Sequence, residues 1–239
     1  MPDKRTHRGP HPEDAKFFAE ETWPRLRTAT ADLSWLLTRG YAGESALKLV
    51  GDRYDLARRQ RIAVMRSASS DQSLESRRER KAELAELAGQ PLEIDGYNLL
   101  ITVEAALAGG VILRGRDGCY RDLASVHGTF RRVEETFPAI ELIGRFLAGL
   151  GVGPCVWRLD SPVSNSGRLK GYLLEIAEKY GWDWSVELAA NPDQLLIASP
   201  EIVATADSVI LDRCRRWANL TVPLVDKHIP GVQIVDLRA

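Results

Sequence analysis

The sequence predicts an α/β fold, a mostly parallel sheet flanked by helices and preceded by a small α-helical domain, and three observations predict it. From Pro12 to about Ala88 the apolar residues keep helical spacing and form no convincing strand. After Gly89-Gln90-Pro91, short apolar runs bounded by turn residues alternate with longer helical patterns. Such runs, joined by helical crossovers, are expected of a mostly parallel sheet whose strands are buried on both faces. With 239 residues, 44% of them hydrophobic, the chain can bury a sizeable core of its own. The expected organisation is a flexible arm over 1–12, a helical domain over 13–88 and an α/β domain over 89–239.

In order along the chain, Phe17, Phe18, Trp23, Leu26, Leu33 and Leu36 give the helical unit its apolar stripes, and Gly40, Gly43 and Gly51 punctuate them. The charged run Glu75-Ser76-Arg77-Arg78-Glu79-Arg80-Lys81 reads as a connecting helix with little apolar face. Strands are expected near 92–94, 154–159, 185–188, 202–204 and 232–237. Helices are expected near 99–108, 123–150, 168–180 and 213–219. The ligand site of such a sheet lies beyond the carboxyl ends of its strands.

Composition excludes several classes. Lys and Arg number 32 against 33 for Asp and Glu, a net charge of -1, so any anion-binding surface is local. Cys119, Cys155 and Cys214 are odd in number and form no Cys-x-x-Cys pair, which argues for reduced thiols in a cytoplasmic protein. The polar start with Lys4, Arg5, His7 and Arg8 is no secretory signal, and no apolar run approaches the ~20 residues of a membrane span. The sequence sets no oligomeric state.

Three aspartates follow predicted strands: Asp95 in Leu92-Glu93-Ile94-Asp95, Asp160 in Trp157-Arg158-Leu159-Asp160 and Asp207 in Thr205-Ala206-Asp207-Ser208. One strand-end aspartate is an ordinary helix cap or turn former. Three at corresponding ends of neighbouring parallel strands converge, and their repulsion is relieved by a divalent cation or a raised pKa.

Asp95-Gly96-Tyr97-Asn98, the aspartate ending the next strand and Thr205-Ala206-Asp207-Ser208-Val209-Ile210 resemble the acidic framework of the PIN and NYN-like nucleases, from about Leu92 onward. Nearly the whole chain also resembles an uncharacterised two-part family of domains of unknown function. That likeness is carried by Gly51-Asp52-Arg53-Tyr54 with Arg59-Gln60-Arg61, and by Asp160-Ser161-Pro162-Val163-Ser164-Asn165-Ser166-Gly167. The nuclease resemblance implies a PIN/NYN-like sheet and one or two Mg²⁺ or Mn²⁺ ions held by Asp95, Asp160 and Asp207. It also implies in-line attack of water on a phosphodiester, with RNA as substrate. Such nucleases usually add an acidic residue from a helix between the first two strands; here Glu104, Asp117, Asp122 and Glu134 all remain open, and Asp212 is a further possible ligand. Two other readings stand beside it: a non-catalytic nucleotide- or nucleic-acid-binding protein, and a structural or interaction protein whose aspartates only cap helices.

Supporting groups are also expected. Asn98, Ser161, Ser164, Asn165, Ser166 and Arg168 can hold a phosphate, with Ser166 alternatively the N-cap of the next helix. His127, with Arg121 and Arg131 close by on a helix surface, belongs to a dense polar set suited to phosphate contact or proton transfer. Arg53, Arg58, Arg59, Arg61 and Arg66 oppose only Asp55 in their segment. Arg58, Arg59 and Arg66 fall on one helical side that could guide nucleic acid or simply be solvated. Arginines near Cys119 could lower its pKa, though nothing else marks it as a nucleophile.

Overall fold

The computed structural model describes residues 6–124 and 128–238. The helical part holds α1 (Asp14–Phe17), α2 (Trp23–Thr38), α3 (Gly43–Arg53), α4 (Arg58–Ser67) and α5 (Asp71–Arg80). After it come β1 (Lys81–Ala82), β2 (Leu92–Asp95), α6 (Gly96–Leu107), β3 (Ile112–Arg114), β4 (Tyr120–Asp122) and α7 (Thr136–Gly149). The remainder is β5 (Cys155–Asp160), α8 (Ser166–Tyr180), β6 (Trp184–Ala189), α9 (Pro192–Ala198), β7 (Ile202–Ala204), α10 (Ser208–Leu211), β8 (Arg216–Ala218), α11 (Thr221–His228) and β9 (Ile234–Asp236).

Six strands form one sheet in the order β1-β8-β7-β2-β5-β6, every neighbouring pair parallel. Because side chains alternate across a strand, the two faces of the sheet feed different cores. Leu92, Ile94, Trp157, Leu159, Ile202 and Ala204 meet Leu99 and Leu100 of α6, Ile140 and Ile143 of α7, Leu169 of α8 and Leu224 of α11. Val203 and Trp217 instead meet Leu196 of α9 and Ile210 of α10. The expected α/β architecture, a parallel sheet covered by helices behind a helical region, is therefore observed.

A three-stranded sheet, β4-β3-β9, stands apart from the main one. Its Leu113 and Val235 pack with Leu26, Leu33, Val50 and Val64, so the helical part shares its core with one strand from the middle of the chain and one from its far end. Among the described residues no helix is long and apolar enough to cross a membrane.

Several expectations are corrected. Segment 213–219 holds strand β8 rather than a helix, because its backbone completes the ladder between β7 and β1. The long helix expected over 123–150 begins only at Thr136, since Phe130 N–H donates to the Ser164 carbonyl (2.8 Å) and ties the preceding stretch to a loop. β9 lies where the last strand was expected but pairs with β3. The described part of the supposedly flexible arm is docked: Arg8 pairs with Glu104, fully buried and in need of a cation, and His7 Nδ1 lies 2.7 Å from Glu135 Oε1.

Candidate functional site

Counted along the chain, β2 is the first strand of the main five and lies at the sheet's centre. β5 and β6 are added on one side of it, β7 and β8 on the other. The connections therefore leave the middle in opposite directions, and a crevice opens beyond the carboxyl ends of β2 and β7. Both turns that border it begin with an aspartate and are stitched together. Asp95 is the N-cap of α6, its Oδ1 accepting from Asn98 N–H (3.4 Å), while its Oδ2 accepts from the Thr205 hydroxyl (2.7 Å). Asn98 Oδ1 in turn accepts from Ala206 N–H (2.9 Å). Asp207 caps α10, its Oδ1 accepting from Val209 N–H (2.8 Å) and Ile210 N–H (3.3 Å). Gly96 is obligatory here, because a Cβ on it would lie 2.9 Å from the Arg158 carbonyl of β5.

The crevice is a cavity of about 400 Å³ whose wall includes Asp95, Asn98, Asp193, Asp207, Arg121 and Asp122. Burial pushes the Asp95 carboxyl up to about 7; the Thr205 hydrogen bond opposes this, and the charges of Asp207 and Asp193 add to it. Asp160 is raised by burial and then by Asp193, and Asp193 by burial and then by Asp207. These carboxylates thus feel one another across the end of the sheet. Asp160 closes β5 without lining the cavity, so the three predicted aspartates share a field rather than one wall.

Asp193 was not foreseen. It follows Asn191, whose side chain caps α9 by accepting from Gln194 N–H (3.2 Å), and Pro192, the first residue of that helix. No aspartate directly abuts β6, which ends at Ala189, so strand-end reasoning does not reach Asp193.

The other candidates divide sharply. Glu104 is spent on Arg8 and on the Thr136 hydroxyl (2.6 Å), away from the cavity. Asp117 lies between Arg77 (2.5 Å) and Arg121 (2.6 Å), and Asp212 is held by Arg77 (2.7 Å). Glu134 faces His7 at 3.4 Å. Of the open set only Asp122 reaches the cavity, its Oδ2 accepting from the Thr102 hydroxyl (2.9 Å). Arg121 lies on strand β4, not on a helix surface, and its fork is taken by Asp117 while its Nε donates to the Ala206 carbonyl (2.7 Å). It braces the turn carrying Asp207 rather than offering a free fork.

Ser166 is not an N-cap. That position belongs to Asn165 in the left-handed conformation (φ 70°), while Ser166 is buried, its Oγ donating to the Asp160 carbonyl (2.5 Å) and standing 2.9 Å from the Tyr97 hydroxyl. Ser161, Ser164, Asn165 and Arg168 are exposed. The expected guiding face is not assembled: Arg58 is exposed, Arg59 grips buried Asp14, and Arg66 reaches inward to the Asp122 and Ala124 carbonyls. Cys119 is buried, and burial pushes its thiol up to about 12, opposite to the lowering expected from nearby arginines. His127 lies outside the described residues.

The donors around the cavity are oxygens, the kind that suits Mg²⁺ or Mn²⁺. Among the described residues no three His, Cys, Asp or Glu side chains are arranged to hold an ion. A complete protein cage is thus absent, but Mg²⁺ usually binds through one or two carboxylates and keeps several waters, which Asp95 and Asp207 fit.

Residues 84–222 match the family described as "Domain of unknown function (DUF5616)". The chain belongs to that family. Ahead of this DUF5616 region, residues 25–80 match "Protein of unknown function (DUF434)", in keeping with the two-part organisation expected from the sequence. The chain is also similar to Uncharacterized protein MJ0935 of Methanocaldococcus jannaschii, 31% identical over 186 residues that cover 78% of this chain and 88% of the relative. No solved structure matches it.

Proposed function

We propose that this DUF5616 protein is a divalent-cation-dependent phosphodiesterase that acts on RNA at the crevice between β2 and β7. The observation that carries the reading is the placement of Asp95 and Asp207 on the two stitched turns of one cavity, with Asp193 on its wall and Asp160 alongside. Asp95, Asp160 and Asp193, raised by burial and by neighbouring carboxylates at the strand reversal of a parallel sheet, are costly to ionise without a cation. The likeness of these two turns to those of PIN and NYN-like nucleases supports the same conclusion.

In this reading Asp95 and Asp207 would hold Mg²⁺ or Mn²⁺, while the Thr205 hydroxyl and the cap hydrogen bonds fix both carboxylates in place. When bound, the ion supplies Lewis-acid neutralisation of charge developing on the phosphodiester oxygens. Asn98, held through Oδ1 by Ala206 N–H, presents its Nδ2 donor to a phosphate oxygen. Asp193, exposed at the rim, is placed to orient water through its carboxylate.

The test is Mn²⁺-dependent cleavage of single-stranded RNA by the parent and by Asp95→Asn. Cleavage by the parent that is lost in the variant supports the proposal; no cleavage by the parent, or equal cleavage by both, refutes it. A second reading, nucleotide or nucleic-acid binding without turnover, draws on the caps: Asp95 and Asp207 each spend an oxygen on a helix start. Binding by the parent without cleavage selects it.

A further inference from the structure

We propose that an arginine-lined pocket beside the acidic cavity binds a phosphate of a polynucleotide chain while a neighbouring phosphodiester occupies the cavity. The inference deepens the phosphodiesterase reading by placing a second contact point on its substrate, and it rests on that reading for what lies in the cavity. The pocket has a volume of about 290 Å³, and Arg131, Arg132, Arg168 and Asn165 line it beside Tyr172. None of the three arginines pairs with an acidic side chain among the described residues, whereas Arg8, Arg59, Arg77 and Arg121 all do. Guanidinium groups converging on a concavity without counter-charge suit a phosphate, which they can grip in bidentate fashion.

The pocket is built, not incidental. Thr129 and Ser164 form a parallel bridge, Phe130 N–H donates to the Ser164 carbonyl (2.8 Å), and Ser164 N–H donates to the Gly128 carbonyl (2.9 Å). Asn165 Nδ2 donates to the Phe130 carbonyl (3.0 Å). These contacts pin the segment carrying Arg131 and Arg132 against the start of α8, which carries Arg168. Arg132 is further held over Phe137 (5.7 Å) and Tyr172 (6.0 Å), two rings whose centroids are 5.1 Å apart.

One aromatic wall separates this pocket from the cavity. Tyr97 lines the cavity, Phe130 lines the pocket, and their ring centroids are 5.9 Å apart. A single phosphate cannot occupy both sides of that wall, whereas a chain of phosphodiesters can cross it and find the face of Tyr172 for a base. Electrostatics favour the same ligand. The carboxylates of the cavity repel a polyanion, and three arginines next door, without an acidic partner among the described residues, supply the attraction that a chain of net charge -1 lacks as a whole.

The experiment measures binding of a short fluorescent oligouridylate to the full chain in EDTA, over a range of salt concentrations. It compares the parent, Arg131→Ala/Arg168→Ala, Arg168→Glu and, as a control on an exposed arginine away from both pockets, Arg39→Ala. The expected result is roughly tenfold or greater weakening in both pocket-arginine variants, with a shallower salt dependence, and no comparable weakening in Arg39→Ala. Unchanged binding in the folded pocket-arginine variants, or no binding by the parent, overturns the proposal. Displacement of the oligonucleotide by an equal concentration of inorganic phosphate also overturns it, since the pocket would then take a free phosphate and not a chain. Arginine-dependent binding by a parent that cleaves nothing with Mn²⁺ keeps this inference and removes the phosphodiesterase reading.

Discussion

Asp95 and Asp117 are the same residue type within one α/β region, yet their surroundings push them in opposite directions. Burial raises both. At Asp117 the fork of Arg121 and the head of Arg77 outweigh it and bring the carboxyl down to about 2. At Asp95 only the Thr205 and Asn98 hydrogen bonds oppose burial, while Asp207 and Asp193 reinforce it, and the carboxyl rises to about 7. The first aspartate is a structural anchor whose charge is answered inside the protein. The second carries a charge that the protein alone leaves unanswered, as expected of a group kept for an external partner. The two regions touch, since Arg121 also donates to the Ala206 carbonyl next to Asp207. The anchor thus braces the site.

Breaking the anchor has the largest expected effect on stability. Arg121→Met leaves buried Asp117 with Arg77 alone and costs about 3–5 kcal/mol, read as a fall in the denaturant midpoint. Arg8→Ala, which strips the buried Glu104 of its cation, costs about 2–3 kcal/mol by the same measurement.

The site responds with the opposite sign. Without divalent ions at pH 8, Asp95→Asn is expected to stabilise the fold by about 1–2 kcal/mol, its contact with solvent moderating the gain. Because the folded pKa of Asp95 lies above its ordinary value of 3.8, its destabilising effect grows as pH rises from near 4 to about 7. The advantage of the variant should therefore vanish below pH 4. Asp117 behaves conversely: its contribution is present above pH 4 and is lost as pH falls toward 2, so parent and Asp117→Asn should converge in acid. Least affected is Asp212→Asn, which removes a more exposed partner of Arg77 and should cost under about 1 kcal/mol.

Most of the architecture was legible because short apolar runs bounded by turn residues mark its strands. Strands β2, β5, β6 and β7 all lie where such runs predicted them. β8 was not legible: Arg216-Trp217-Ala218 is too short and too charged at its start to signal a strand, and only the neighbouring backbone of β7 and β1 makes it one. At the site, Asp95 and Asp207 were readable from their places at strand ends. Asp193 was not, since it is set by a helix start several residues beyond β6. Nor did sequence separate arginines that answer buried acids, such as Arg59 and Arg77, from those that line a pocket, such as Arg132 and Arg168. That sorting depends on contacts between residues distant along the chain.

Calorimetric titration of Mn²⁺ into the parent and into Asp95→Asn/Asp207→Asn at pH 7.5 tests the unanswered charge most directly. The account predicts saturable binding by the parent that weakens at least about tenfold in the variant. Equal binding by both proteins, or no binding by the parent, would contradict it.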